Sequence, residues 1–135
     1  MNKEFKTIGD IKQNELRIGN MLNYWIEEDK SYHVSFMDWQ DLRNISEDEI
    51  DFNKWHNPIP LTEDILLKCG FKNADFGLII ITKNKTQINL VGIDGQWSVG
   101  LSGPFGLVQP CFVQSLHQLQ NLYFALIGNE LEITL

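Results

Sequence analysis

The chain has 135 residues and 15.6 kDa, with 43% hydrophobic and 21% charged residues and 18 acids against 11 bases, a net charge of −7. A chain of this size hides roughly two thirds of the surface its unfolded form exposes, so it can build a core without metal or disulfide support. The composition excludes disordered, collagen-like and disulfide-scaffold classes. A pI near 4.8 argues against direct nucleic-acid binding, which concentrates Lys and Arg on one face.

The first residues hold no apolar stretch of seven or more, so no secretory signal is read and a cytoplasmic location is expected. Residues 1–13 carry only Phe5, Ile8 and Ile11 as apolar anchors and read as a loosely attached extension; 14–135 read as a single domain. Met21 to Ile26 and Tyr32 to Phe36, around the polar turn Glu27–Lys30, predict a hairpin with His33 on the face opposite Tyr32, Val34 and Phe36. Residues 37–60 show no clean period and end in Asn-Pro-Ile-Pro, which predicts a long connection. Thr62 as N-cap, Glu63 and Asp64 in the first turn, Lys68 in the last and Gly70 beyond it predict a helix over 63–69, with Leu61 stapled on Leu66 and Phe71 folded back on Leu66.

Leu78 to Ile81 is apolar on both faces and reads as a covered central strand turned back by Lys83–Lys85. A strand over Gln87–Ile93 follows, and Asp94-Gly95 predicts a type I′ hairpin into the alternating Trp97, Val99 and Leu101. Ser115 with Gln118 reads as a capping box for a helix whose apolar stripe is Leu116, Leu119, Leu122, Tyr123, Leu126 and Ile127, ended by Gly128. Leu131, Ile133 and Leu135 alternate with polar residues and predict a closing strand. The longest apolar runs fall far short of the ~18–20 residues of a membrane helix, so no membrane is expected.

Charge is unevenly placed. Residues 27–64 hold 11 acids and 3 bases, with clusters at Glu27, Glu28, Asp29 and at Glu47, Asp48, Glu49, Asp51. These read as solvated loop carboxylates or as an acidic surface for a basic partner. From Gln96 to Asn129 no Asp, Glu, Lys or Arg occurs in 34 residues. On the last helix, the side away from the leucines presents His117, Gln118, Asn121 and Ala125, with Phe124 at its edge. Amides without charges mark a covered face, either central in the monomer or in contact with a partner, a second copy of the chain being the expected one.

Catalytic motifs are missing. The glycines Gly92, Gly95, Gly100, Gly103 and Gly106 read as turns, with no lysine or arginine near them and no phosphate-cradle pattern. His33, His56 and His117 lack metal spacing, so no metal or other cofactor is expected. Cys111 follows Pro110 in an apolar run with no cation to stabilise a thiolate, and with Cys69 it reads as a buried reduced thiol.

Three stretches carry a resemblance: Glu15-Leu16-Arg17-Ile18-Gly19-Asn20, the run PLTEDILLKCGF from Pro60 to Phe71, and SLHQLQNLYFALIGNELEI from Ser115 to Ile133. Together they resemble a family of small uncharacterised proteins of gut-type bacteria. Its members are often encoded in prophage or mobile-element regions, opening on Leu-Arg-Ile-Gly-Asn and ending on His-x-Leu-Gln-Asn-Leu-Tyr-Phe-Ala-Leu. The match spans 15–133 with a dissimilar middle; Ile127 stands where that family has threonine and Leu116 where it has valine. The resemblance implies a single domain in a phage-like or accessory setting and assigns no catalytic residue.

The expected fold is therefore α+β: a twisted, mostly antiparallel sheet or partly open barrel of about six strands with two packed helices. The expected function is a non-catalytic interaction or accessory protein. A small enzyme with a pocket that no motif marks and an acidic mimic of nucleic acid are the alternatives.

Overall fold

The computed structural model describes residues 9–75, 77–82, 85–103 and 106–134, with backbone alone for 103 and 106–111. The architecture is α+β, with four α-helices and two antiparallel sheets among the described residues. Its contacts fall into two compact units, one of residues 1–60 and 115–121, the other of 61–114 and 122–135.

In the first unit, β1 (Met21–Ile26) and β2 (Ser31–Phe36) form the expected hairpin, paired from Met21↔Phe36 to Ile26↔Ser31. The short β3 (His56–Asn57) lies on the other side of β1, so the strand order is β2-β1-β3. Two helices, α1 (Trp39–Glu47) and α2 (Glu49–Trp55), occupy the stretch expected to be a connection. Their signals are acidic. Asp38 accepts from the Asp41 N–H while Asp41 accepts from the Asp38 N–H, each at 3.0 Å, a capping box built from two aspartates. Asp48 then ends α1 and caps α2, accepting from the Asp51 N–H at 3.0 Å. Helices this short place few residues inward, which hides the helical period. Ile45 and Phe52 supply it, joining Ile11, Leu22 and Met37 in one core cluster. Ile11 is thus fully buried and its N–H donates to Asn53 Oδ1 at 2.7 Å, so the end of the expected loose extension is fastened; residues 1–8 lie outside the described ones.

In the second unit, α3 (Glu63–Lys68) forms as expected. Thr62 accepts from the Ile65 N–H at 3.2 Å, Gly70 takes φ +92°, and the N–H groups of Gly70 and Phe71 reach back to Leu67 and Leu66 C=O at 3.1 Å each. That pair of bonds is a Schellman close. Five strands follow as a meander in chain order: β4 (Lys72–Ala74), β5 (Gly77–Ile81), β6 (Gln87–Ile93), β7 (Gln96–Gly103) and β8 (Gly106–Val113). Asp94 and Gly95 both take positive φ, 51° and 79°, the type I′ geometry. Gly92 and Gly100 lie within strands rather than turns, and a Cβ on Gly92 would sit 3.5 Å from the Trp97 ring. Lys85 turns with φ 65°, while Lys83 and Asn84 of the expected turn lie outside the described residues.

Leu78, Ile88, Leu90, Val99, Leu101 and Val113 share the buried face of this sheet. The opposite face is open: Ile81 is 65% exposed, so β5 is not covered on both sides as its apolar run suggests. Residues 130–134 form no strand; Leu131 is buried as a single anchor, and the Thr134 N–H donates to Lys68 C=O at 3.0 Å. One anchor and one bond to a helix end satisfy the alternation without a ladder.

The last helix, α4 (Leu116–Ile127), buries Leu116 and Leu119, whereas Leu126 is exposed. Leu119→Ala should cost roughly 2–5 kcal/mol by opening a buried cavity. Leu126→Ala should cost under about 1 kcal/mol, and chemical denaturation of both variants checks the contrast. Gly70→Ala should cost about 1 kcal/mol, because the positive φ penalises a Cβ that otherwise meets only Ile80 Cδ1 at 3.6 Å. Its melting temperature should fall by a few degrees.

Candidate functional site

The four α4 residues expected to meet a partner do not share an exposed face. His117 is 1% exposed, Gln118 and Asn121 are half-buried, and Phe124 is exposed. His117 Nδ1 lies 3.1 Å from Ser115 Oγ, and its Nε2 lies 3.5 Å from Glu15 Oε2. This is a row of serine, histidine and carboxylate, but Ser115 is fully buried and its Oγ has no open side for a substrate. Burial raises the Glu15 pKa; the hydrogen bonds from His117 and the Lys12 N–H, with the charges of those residues, outweigh it and hold the carboxyl below its ordinary 4.5.

The amides of α4 are consumed by the chain itself. Asn121 Oδ1 accepts from Arg17 Nε at 3.1 Å and Asn20 Nδ2 at 2.8 Å, and its Nδ2 donates to Glu15 C=O at 2.7 Å. Gln120 Oε1 accepts from the Met21 N–H at 2.8 Å and its Nε2 donates to Gly19 C=O at 3.1 Å. Gln118 Oε1 accepts from the Ser115 N–H at 3.3 Å, one arm of the expected capping box. The charge-free character of this half of α4 therefore reports an internal polar knot: amides present both donors and acceptors to an irregular backbone at no cost in buried charge.

The acidic candidates also serve local purposes. Glu27 accepts from Trp25 Nε1 at 2.7 Å and pairs with Lys30 at 3.0 Å, Asp29 meets His33 at 3.1 Å, and Glu28 is exposed between them. Glu47 pairs with Arg43 at 3.0 Å, Glu49 accepts from the Gln13 N–H at 3.1 Å, and Asp48 with Asp51 begins α2. His56 stacks on Phe52 with ring centroids 3.8 Å apart. Among the described residues no three His, Cys, Asp or Glu side chains converge to hold a metal. No helix among them is long and apolar enough to cross a membrane.

Within the second unit an open groove of about 760 Å³ is lined by Cys69, Ile80, Tyr123 and Glu132 among others. Burial pushes the Cys69 thiol up to about 11, and burial together with Glu132 raises the Tyr123 hydroxyl. The thiol is thus a poor nucleophile at neutral pH. The Cys111 side chain lies outside the described ones.

A feature that sequence reasoning did not single out is the open face of the five-stranded sheet. Register puts Ile79, Ile81, Gln87, Asn89, Val91 and Ile93 on one side with Gln96, Ser98, Ser102 and Phe112 of the neighbouring strands. Val91 is 38%, Ile93 49% and Phe112 57% exposed. Gln87 Nε2 donates to Asn89 Oδ1 at 2.7 Å, so even the amides are partly spent on each other. Among the described residues of β5, β6, β7 and β8, this face carries no Asp, Glu, Lys or Arg. Gln96, Ser98, Ser102 and Phe112 belong to the charge-free stretch read in the sequence. Its exposed residues are divided between this face and the end of α4, at Phe124, Ala125 and Leu126.

Compared with known proteins, the chain matches no family model, no curated protein and no solved structure.

Asn121→Ala should destabilise the protein by about 1–3 kcal/mol, since it strands Asn20 and the Glu15 carbonyl. Phe124→Ala should change stability by under about 0.5 kcal/mol, and urea titration reads both. Because the folded Glu15 pKa is lowered, its contribution is present above the unfolded value of 4.5 and is lost as pH falls through the folded value. Glu15→Gln should accordingly flatten the acid limb of stability below about pH 4.5, followed by circular dichroism.

Proposed function

We propose that the protein is a non-catalytic interaction protein that works by self-association, and that its contact surface is the outer face of β5–β8 in the five-stranded sheet. The observation that carries this reading is the set Ile81, Val91, Ile93 and Phe112, all exposed on the part of the face formed by β5–β8, where no described residue is ionised and where Lys72 of β4, opposite Ile79, stands at the rim. Antiparallel sheets with one solvated face normally alternate apolar with polar and charged residues, and charge depletion with exposed aliphatic and aromatic side chains is the composition of a contact surface. Strands about 4.8 Å apart with same-face positions about 6.8 Å apart give this patch a footprint of about 300–400 Å². That is the size of the largest, often functional, patch on a monomer and about half of a standard interface, so the contact is weak and concentration-dependent.

A second copy fits the face for an electrostatic reason. At a net charge of −7, two copies repel through most approaches, and a neutral face is where they can meet without juxtaposing carboxylates. The resemblance to prophage-borne proteins accords with an accessory role of this kind. Sedimentation should show a monomer–dimer equilibrium at high micromolar concentration. Val91→Lys and Phe112→Lys, both at exposed positions, should stay folded and sediment as monomers. A wild-type chain that is monomeric throughout, or a Phe112→Lys dimer, would sink the proposal.

A further inference from the structure

The two sheets have four edges, and three are blunted. β3 has two residues, β4 has three and begins with Lys72, and β8 contains Pro110. Such short strands, edge lysines and prolines are the ordinary protections against strand addition. β2 has none of them: its six residues Ser-Tyr-His-Val-Ser-Phe include no proline and no Asp, Glu, Lys or Arg. The Met37 N–H donates to Asn20 C=O at 2.8 Å, which fixes the phase of the ladder with β1. By alternation the pairs 22↔35, 24↔33 and 26↔31 exchange hydrogen bonds, so the N–H and C=O of Val34 and Phe36 point away from β1 to the open edge. Their side chains are exposed as well, Val34 at 46% and Phe36 at 66%.

We infer that the β2 edge is a strand-addition site for an extended segment of a partner protein, apolar at alternate positions and basic at its ends. This goes beyond the self-association proposed above and uses a different surface, in the other unit. The backbone groups dictate the conformation of the occupant, because only an extended chain can match donors and acceptors spaced two residues apart. Charge dictates its ends. Residues 27–41 hold five acids against one lysine, with Glu27, Glu28 and Asp29 before the strand and Asp38 and Asp41 after it. A second copy of β2 is disfavoured in either direction, since antiparallel or parallel pairing sets acidic flank against acidic flank. A segment with lysines or arginines at both ends meets carboxylates at both ends instead.

The test uses the full chain and the synthetic peptide Lys-Lys-Val-Thr-Val-Thr-Val-Lys-Lys, with amide exchange of Val34 and Phe36 read by NMR. Saturating peptide should slow both amides at least tenfold, with the protection shrinking as salt rises, and the same peptide with glutamates for lysines should give none. Val34→Pro removes an outward N–H and should abolish protection at Phe36. Phe36→Lys leaves every backbone group in place and should weaken binding several-fold if Val34→Pro misfolds. Unchanged exchange at millimolar basic peptide, or equal protection by the acidic peptide, would overturn the inference. So would protection that rises with protein concentration alone, which would assign the edge to a second copy.

Discussion

The segment from Glu15 to Asn20 joins no helix or strand after its first 3-10 turn, yet Asn20 is completely buried. Polar groups of an irregular backbone still need partners: the Gly19 and Asn20 N–H groups donate to the Met37 and Arg17 carbonyls, and the side chains of Asn20, Gln120 and Asn121 meet Arg17 N–H, Met21 N–H and the Gly19 and Glu15 carbonyls. This constraint sets much else in the first unit. Gln120 holds the Met21 N–H where β1 begins, on the side of the strand away from β2. It also explains why the start of α4 carries amides where a surface helix would carry glutamate and lysine. An amide can donate and accept at once, and no ionisable residue could do so there without bringing an unpaired charge inside.

The second unit answers a different demand. Its meander buries one face of the sheet on Leu78, Leu90, Val99 and Leu101 and leaves the other to solvent or to a partner. The carboxylates lie mostly elsewhere, and many serve as helix caps or local ion pairs, as at Asp38, Asp48 and Glu27. Charged and apolar exposed side chains are thus segregated in this chain rather than interspersed.

Elements with strong local chemistry were legible in the sequence. The Thr62 cap, the Gly70 close and the Asp94-Gly95 turn each depend on a few adjacent residues, and all three appear as read. What escaped was non-local or unconventional. The capping box of α1 uses aspartate where glutamate or glutamine is the rule, and two short helices sharing Asp48 leave no long period to detect. The absence of charge from 96 to 129 was visible, but its meaning divides between strands and helix only when register is known. Phe112 faces outward while Val113 faces inward, an assignment that depends on the pairing Trp97↔Val113 and Ser98↔Phe112. A hairpin edge such as β2 is likewise invisible beforehand, because pairing partners, not residues, make an edge.

The two units differ in how they are threaded. The sheet of the second unit is continuous in sequence, each strand pairing with the next, so its contacts close short loops. The first unit is interrupted: residues 115–121 return to 1–60 only after the whole meander has been made. During synthesis from the N-terminus, the knot of Asn20, Gln120 and Asn121 therefore cannot tie until nearly the entire chain exists. Both units therefore close late: the first needs residues up to 121, and the second receives Leu131 and the Thr134 bond to Lys68 only at the end of the chain.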